Sequence, residues 1–229
     1  MNLPLLFILS TATASQPVKL STEDGQRIQA KSWKTRGSTR GVVLVHGEDQ
    51  SSKIWNSTAQ TLSDQGITVL SIDLRGHGES SIADGASLEE TDYKAMTQDV
   101  LAASQWMERN GVEQITCLGS SLGANLCLQA GAASSSIDRM ALLSPGFNYL
   151  GVTSVSSASN VGERPILVLF SEEDKYALQT SLVLSDRASG PIQIEARSGL
   201  GHGTRMLARD PELEELLLNW LTRPETPSD

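Results

Sequence analysis

Six short apolar runs recur along this chain of 229 residues and constrain its fold more than any other feature. The first run, residues 41–45, is rich in valine, and continuous runs of this kind are typical of strands buried on both faces of a parallel sheet. The other five cover residues 68–72, 114–118, 139–143, 165–170 and 192–196. Helices are predicted between most of these runs and after the last one, at residues 54–65, 92–110, 122–133, 176–187 and 211–221. Strands that alternate with helices predict an α/β fold, with a mostly parallel sheet and helices on both faces.

Two more strands are predicted before the first apolar run, at residues 18–22 and 27–33. The turn between them contains Asp24 and Gly25, which tolerate the positive φ angles of a tight hairpin. This antiparallel hairpin brings the sheet to about eight strands. Residues 147–163 are rich in Ser, Val, Gly and Asn without a clear period, so we expect a small flap or loop there and no cap domain. A single domain over residues 15–229 follows.

The formal net charge of −9 argues against a nucleic-acid partner and against tight binding to anionic lipid. The apolar stretch from Leu3 to Leu9 is too short to span a bilayer. Small residues at Ala12 and Ala14 follow it, as at a signal-peptidase site. We therefore predict a signal peptide at residues 1–14 and export to a periplasm or the extracellular space. The alternative is an uncleaved terminus on a cytoplasmic protein.

The two cysteines, Cys117 and Cys127, stand on either side of a serine-containing turn. We expect buried free thiols, although an exported protein could oxidise them. Neither their spacing nor nearby histidines indicate a metal site, so we predict no metal and no organic cofactor.

The sequence from Gly119 to Gly123 has the form G-x-S-x-G, directly after an apolar strand and at the start of a helix. In that context the chain turns sharply and exposes the hydroxyl of the central serine, which here is Ser121. A side chain at either glycine would collide with the neighbouring strand or helix. The helix N-terminus also favours negative charge near the reacting oxygen. Ser121 is therefore the predicted nucleophile, in preference to Ser120.

A serine nucleophile requires a base, and the chain has three histidines. His202 lies in the loop after the last strand, from which it could reach over the nucleophile. His46 and His77 follow earlier strands, and we expect them to hold their own loops by hydrogen bonds. His202 is the predicted general base.

The base needs an acceptor that orients its ring. Asp174 comes just after a buried strand and stands between Ser121 and His202 in the chain, in the order Ser, Asp, His. Glu172 and Glu173 qualify by position alone. Asp174 is the predicted third member of the triad.

An oxyanion hole requires two backbone N–H groups. We predict that Leu122, directly after the nucleophile, and Glu48, after the first buried strand, supply them. An acidic residue beside a developing oxyanion is unusual, and its side chain would either point to solvent or repel anionic substrates. Phe147 and Tyr149 are candidate substrate contacts, although packing explains both equally well.

These motifs together resemble the α/β-hydrolase superfamily. The resemblance rests on residues 46–47, 73–80, 119–123 and 201–203 and on Asp174, and it spans roughly residues 18–221. The sequence of residues 73–80 is similar to monoacylglycerol-lipase-like hydrolases, and the short connection after Gly146 to compact, lidless dienelactone-hydrolase-like esterases. Dienelactone hydrolases proper use a cysteine nucleophile, whereas this chain has Ser121.

The resemblance implies a serine hydrolase that cleaves a carboxylic ester of a small or medium acyl substrate through an acyl-serine intermediate. A thioesterase, an amidase or a peptidase would use the same residues, and the sequence does not separate them. A non-catalytic binding protein of the same fold is the alternative from another class.

Overall fold

A computed structural model describes residues 14–80 and 87–223 of the chain. Except for its last residue, the predicted signal peptide at residues 1–14 lies outside the described residues. The strands, in chain order, are β1 Gln16–Ser21, β2 Arg27–Trp33, β3 Arg40–Val45, β4 Thr68–Ile72, β5 Gln114–Ser120, β6 Arg139–Leu143, β7 Asn148–Tyr149, β8 Val152–Thr153, β9 Ile166–Ser171 and β10 Ile192–Arg197. The helices are α1 Asn56–Asp64, α2 Glu90–Arg109, α3 Leu122–Ala133, α4 Val155–Ala158, α5 Lys175–Arg187, α6 Arg205–Arg209 and α7 Pro211–Thr222.

Eight of these strands form one sheet in the order β1-β2-β4-β3-β5-β6-β9-β10. Strands β3, β4, β5, β6, β9 and β10 pair in parallel. The two antiparallel contacts are made by β1 with β2 and by β2 with β4. The predicted mostly parallel sheet of about eight strands is therefore confirmed. Its carboxyl edge carries the loops that follow β3, β5, β6, β9 and β10, and all the predicted site residues lie on or beside these loops.

Helices cover both faces of the sheet, as the continuous apolar runs predict. Along β3, Val43 and Val45 belong to one hydrophobic core, and Val42 and Leu44 belong to the other. Helices α2, α3 and α5 cover the first core, and helices α1, α6 and α7 cover the second. Because successive side chains of a strand point to opposite faces of the sheet, residues 41–45 face both cores in turn and are all apolar.

Capping residues set the ends of several helices. Helix α2 begins two residues before the predicted position, because Glu89 and Asp92 form a capping box at its start. Asp210 caps the start of α7, since it accepts the amides of Glu212 and Leu213 at 3.0 and 3.1 Å. The predicted helix at 54–65 begins instead as a 3-10 turn, Ser52–Trp55, and continues as α1.

The expectation of free thiols is wrong, because Cys117 and Cys127 form a disulfide. Strand β5 runs directly into α3, and the helix folds back against the strand that precedes it. The two Cα atoms are thereby 5.5 Å apart, within the range for a disulfide. The covalent link closes a loop that contains Ser121.

The segment predicted as a flap or loop is more regular than expected. Strands β7 and β8 form a small hairpin, whose turn places Leu150 and Gly151 at positive φ, and α4 follows. Asn125 of α3 anchors this hairpin, because its amide donates to the carbonyls of Gly146 and Val152, both at 2.8 Å. Within the described residues, no helix is both long and apolar enough to cross a membrane.

Candidate active site

The turn between β5 and α3 holds Ser121 in a strained backbone conformation, with φ 56° and ψ −118°. A Cβ atom on Gly119 would lie 2.1 Å from the carbonyl oxygen of Gly123. One on Gly123 would lie 2.5 Å from the carbonyl oxygens of Val45 and His46. Only glycine fits at either place, so strand, turn and helix approach each other closely enough to expose the serine at the end of the sheet.

The loop after β3 lies against this turn. A Cβ atom on Gly47 would lie 3.3 Å from the Cβ of Ser121. The next residue, Glu48, is exposed, and its carboxylate lies near the hydroxyl of Tyr93 on α2. Burial, followed by the charges of Glu48 and Asp49, raises the pKa of Tyr93. The side chain of Glu48 is thus near α2, and its backbone lies beside the turn that holds Ser121.

His202 and Asp174 form a hydrogen-bonded pair, with Nδ1 of the histidine 2.5 Å from Oδ2 of the carboxylate. The histidine side chain is 45 % exposed, and that of the aspartate is 12 % exposed. The other carboxylate oxygen of Asp174 accepts the amide of Ala177 at 3.1 Å and so caps helix α5. The helix therefore fixes the carboxylate, and the carboxylate orients the imidazole.

Asp174 is distinguished by these contacts from the two acidic residues that precede it. Glu173 accepts the amide of Gly199 at 2.8 Å and the hydroxyl of Ser171 at 2.5 Å, which lowers the pKa of Glu173. Glu172 accepts the hydroxyl of Ser198. Both glutamates therefore bind the loop that carries His202, and neither contacts the imidazole.

The His202 loop is adjacent to the turn that holds Ser121. The amide of Gly203 donates to Oγ of Ser144 at 2.9 Å, and a Cβ atom on Gly203 would lie 2.6 Å from Oγ of Ser120. Among the described residues, no direct hydrogen bond joins Ser121 to His202. Hydrogen bonds between catalytic groups are often long before substrate binds and tighten in the complex.

Three aromatic side chains from two elements lie beside this pair. Tyr176 of α5 packs edge-to-face on Phe147 and Tyr149, with ring centroids 5.8 and 5.7 Å apart. The Tyr176 hydroxyl also donates to the carbonyl of Asn148 at 2.9 Å. Tyr149 and His202 are also edge-to-face, with centroids 6.3 Å apart. Phe147 and Tyr149 are partly exposed, so each side chain can pack against the protein on one side and contact a ligand on the other.

Ser144 is a residue that the sequence analysis missed. It is fully buried at the end of β6, has φ 50°, and joins the His202 loop to Tyr149 through its hydroxyl and its carbonyl. Its position between an apolar strand and Pro145 was the available signal, because it marks the carboxyl edge of the sheet.

The other two histidines hold their loops, as predicted. Nδ1 of His46 bonds to the carbonyl of Gly47 at 2.6 Å, and its Nε2 accepts the amide of Leu74 at 3.1 Å. Burial lowers the pKa of His46 to about 4, so this imidazole stays neutral. His77 bonds to the carbonyl of Arg75 at 3.0 Å. Within residues 14–80 and 87–223, no group of three or more His, Cys, Asp or Glu side chains could hold a metal ion.

A family model for the alpha/beta hydrolase fold matches residues 41–172. A serine hydrolase-like protein of Dictyostelium discoideum is 29 % identical over 112 residues, which are 48 % of this chain and 30 % of that protein. A pimeloyl-[acyl-carrier protein] methyl ester esterase of Aliivibrio fischeri is 31 % identical over 102 residues, 44 % of this chain and 35 % of that protein. The chain thus spans about a third of the length of these two curated relatives.

The fold also matches solved structures. A dienelactone hydrolase of Anabaena variabilis superimposes with a TM-score of 0.74 at 16 % identity, covering 91 % of this chain and 95 % of that one. Together with the family match, the sheet order and the glycine-flanked serine turn, this establishes the class of protein. The chain belongs to the alpha/beta hydrolase fold family.

Proposed function

We propose that this protein is a serine hydrolase that cleaves carboxylic esters of small or medium acyl groups through an acyl-serine intermediate. The observation that carries the proposal is the convergence of two features at one edge of the sheet. Ser121 is partly exposed in a strained turn, and the His202–Asp174 pair stands on the adjacent loops. Family membership supports the same reaction class, because the serine turn is a motif of hydrolases of this fold.

In the proposed reaction, Oγ of Ser121 attacks the ester carbonyl and His202 removes its proton. Nδ1 of the histidine is bonded to Asp174, so Nε2 is the atom that accepts the proton. The amides of Leu122 and Glu48 would stabilise the oxyanion, because the first opens α3 and the second follows Gly47, which packs on Ser121. His202 then protonates the leaving alcohol, and water releases the acid by the same steps. No cofactor enters this scheme.

A small-molecule ester is the proposed substrate. Phe147 and Tyr149 present partly exposed aromatic surface beside His202, which suits an apolar portion of the ester. One relative is named as a methyl ester esterase, which supports ester chemistry. A thioesterase, amidase or peptidase reaction would use the same groups, and a panel of substrates separates these activities.

Export through residues 1–14 remains a prediction, with a cytoplasmic location as the alternative. The disulfide supports export, because disulfides persist mainly in oxidising compartments.

The first experiment is labelling with a fluorophosphonate probe, which reacts with activated serines. We expect the wild type to be labelled and Ser121→Ala to lose both labelling and ester hydrolysis, with a fall in kcat of about 10⁴-fold or more. Ser120→Ala is the matched control, since Ser120 is the adjacent serine and is buried. It should keep labelling.

Absence of labelling in a wild type whose circular dichroism shows a folded α/β protein would overturn the proposal. The non-catalytic binding protein would then become the leading hypothesis. Labelling that survives in Ser121→Ala but is lost in Ser120→Ala would reassign the nucleophile.

A further inference from the structure

Tyr149 places its phenol hydroxyl at the centre of the proposed site. This hydroxyl donates to the carbonyl oxygen of Ser144 at 3.2 Å and lies near the Ser121 hydroxyl. Its ring lies edge-to-face against the imidazole of His202. Tyr149 is thus a neighbour of both the proposed nucleophile and the proposed base.

The position of this hydroxyl is fixed by its surroundings. The ring of Tyr149 packs on Tyr176 and on the backbone of Gly146, where a Cβ atom would lie 2.5 Å from Cζ of Tyr149. The hairpin that carries it is held to α3 by Asn125. A hydroxyl held in this way loses little conformational entropy when it binds a ligand.

The surroundings also decide which part of an ester the hydroxyl would face. The proposed oxyanion donors, Glu48 and Leu122, belong to the β3 loop and the start of α3. Tyr149 comes from the loop after β6 and lies beside His202 instead. In acyl transfer, the base that deprotonates the nucleophile returns the proton to the leaving group. A donor that contacts both Ser121 and His202 therefore lies on the leaving-group side.

We propose that Tyr149 is a further catalytic residue, whose hydroxyl donates a hydrogen bond to the leaving-group oxygen of the ester as its bond to the acyl carbon breaks. The proposal rests on the proposed ester hydrolysis. In this step the C–O bond of the tetrahedral intermediate breaks, the proton on Nε2 of His202 passes to the alcohol oxygen, and Ser121 keeps the acyl group. Tyr149 turns its hydroxyl from Ser144 to that oxygen and keeps its own proton.

The environment of Tyr149 keeps it protonated. Burial raises the pKa of its hydroxyl, and the negative charge of Asp174 adds to this effect, although the Ser121 hydroxyl opposes it. The phenol is therefore a hydrogen-bond donor over the whole working range of a histidine base. Its contribution depends on how much negative charge the leaving oxygen carries when the bond breaks.

The test is Tyr149→Phe, which removes the hydroxyl and keeps the ring. Two esters with one acyl group are compared by kcat/KM, which reports acylation: an ethyl ester and a p-nitrophenyl ester. The acyl group is the one that the wild type cleaves best in a p-nitrophenyl series. We expect a loss of about 10- to 100-fold with the ethyl ester, whose leaving oxygen needs stabilisation, and about 3-fold or less with the p-nitrophenyl ester.

Tyr176→Phe is the matched control. It belongs to the same aromatic cluster, but its hydroxyl bonds to the backbone of Asn148. We expect it to change both esters by the same small factor. Thermal unfolding of both variants shows that the fold is retained.

Two results would overturn the proposal. Equal losses with both esters would mean that Tyr149 only positions its neighbours, and no loss with either would mean that its hydroxyl is idle. Failure of the proposed function looks different, because the wild type itself would then remain unlabelled by the fluorophosphonate and inactive on both esters.

Discussion

The two carboxylate oxygens of Asp174 have different hydrogen-bond partners. Its Oδ2 orients His202, and its Oδ1 caps helix α5 through the amide of Ala177. Asp174 lies between β9 and α5, where its amide donates to the carbonyl of Ser171 and its carbonyl accepts the amide of Leu178, both at 2.9 Å. The residue can therefore direct the imidazole with little freedom of its own, which is the requirement for an orienting group in acyl transfer.

Asp174→Asn separates these two roles. The amide oxygen can still cap α5, but the amide nitrogen cannot accept a proton from Nδ1 of His202, so the imidazole takes the wrong tautomer. We expect kcat for ester hydrolysis to fall about 10³- to 10⁴-fold, while the melting temperature changes by only about 2 °C.

Glu172→Gln is the control for this change, because Glu172 is the acidic neighbour that contacts Ser198 and not His202. Steady-state kinetics on both variants checks the expectation. Full activity in Asp174→Asn would remove Asp174 from the mechanism.

At the scale of elements, the disulfide between β5 and α3 contributes to stability. The Cys117–Cys127 disulfide lies in the core and connects β5 to α3 on either side of the turn that holds Ser121. Its two ends are separated by ten positions in the sequence. The covalent link therefore restricts, in the unfolded chain, the same turn that the folded protein holds under strain.

The double variant Cys117→Ala/Cys127→Ala should be less stable by about 2–3 kcal/mol, the loss expected when a loop of this length is no longer closed. Urea unfolding measures the difference. With a strong reductant, the wild type should lose a similar amount and the variant should lose nothing. Equal stability of wild type and variant without reductant would contradict the expectation.

The sequence predicts most of these elements, and the failures have physical causes. Apolar runs identify the strands because a strand covered on both faces is apolar at nearly every covered position, as residues 41–45 of β3 show. The glycines around Ser121 predict the turn because no larger side chain fits. The cysteine pairing was not predictable, since it depends on the rotation of α3 about its axis. The hairpin β7–β8 was missed because Asn125, its anchor, is distant in sequence.

The candidate site also has features that the sequence predicts and features that only the structure shows. Residue type and chain order are enough to nominate Ser121, Asp174 and His202. The choice among the acids at positions 172–174 depends on which carboxylate faces the imidazole, and only coordinates show that. The proximity of Tyr149 to His202 depends on the hairpin that the sequence analysis missed.

At the scale of the whole molecule, a partly buried ion cluster joins three distant parts of the chain. Arg75 follows β4, and its guanidinium lies 2.6 Å from Asp24 in the first hairpin turn and 2.7 Å from Asp99 on α2. Asp99 is fully buried, and Arg75 is nearly so. Breaking such a cluster leaves a charge without a partner in the interior, which is costly.

Asp24 contributes to acid sensitivity. Hydrogen bonding to Arg75 lowers the pKa of Asp24 from 3.8 to about 2. Because the folded pKa is below the unfolded one, the stabilisation is complete above about pH 4 and is lost as the pH falls through 2. Asp24 is 40 % exposed, so solvent screening limits the effect to about 1 kcal/mol.

Asp24→Asn should therefore reduce the slope of unfolding free energy against pH between pH 4 and 2. Urea unfolding at several pH values measures it. Identical slopes for variant and wild type would show that Asp24 does not titrate with folding. Asp64→Asn is a suitable control, because Asp64 is an exposed acid that accepts only a surface bond from Gln60.

The serine and the histidine are attached to parts of the sheet with unequal resistance to opening. Ser121 follows β5, which is buried and flanked by β3 and β6, whereas His202 follows β10, an edge strand that is only partly covered. Edge segments exchange their amide protons through small local openings, at a lower free energy than global unfolding. Heat will therefore detach the histidine while most of the sheet is still intact. Loss of activity therefore reports the opening of the sheet edge at β10, whereas spectroscopy reports the unfolding of the buried central strands. We expect activity to be lost at a temperature below the melting temperature.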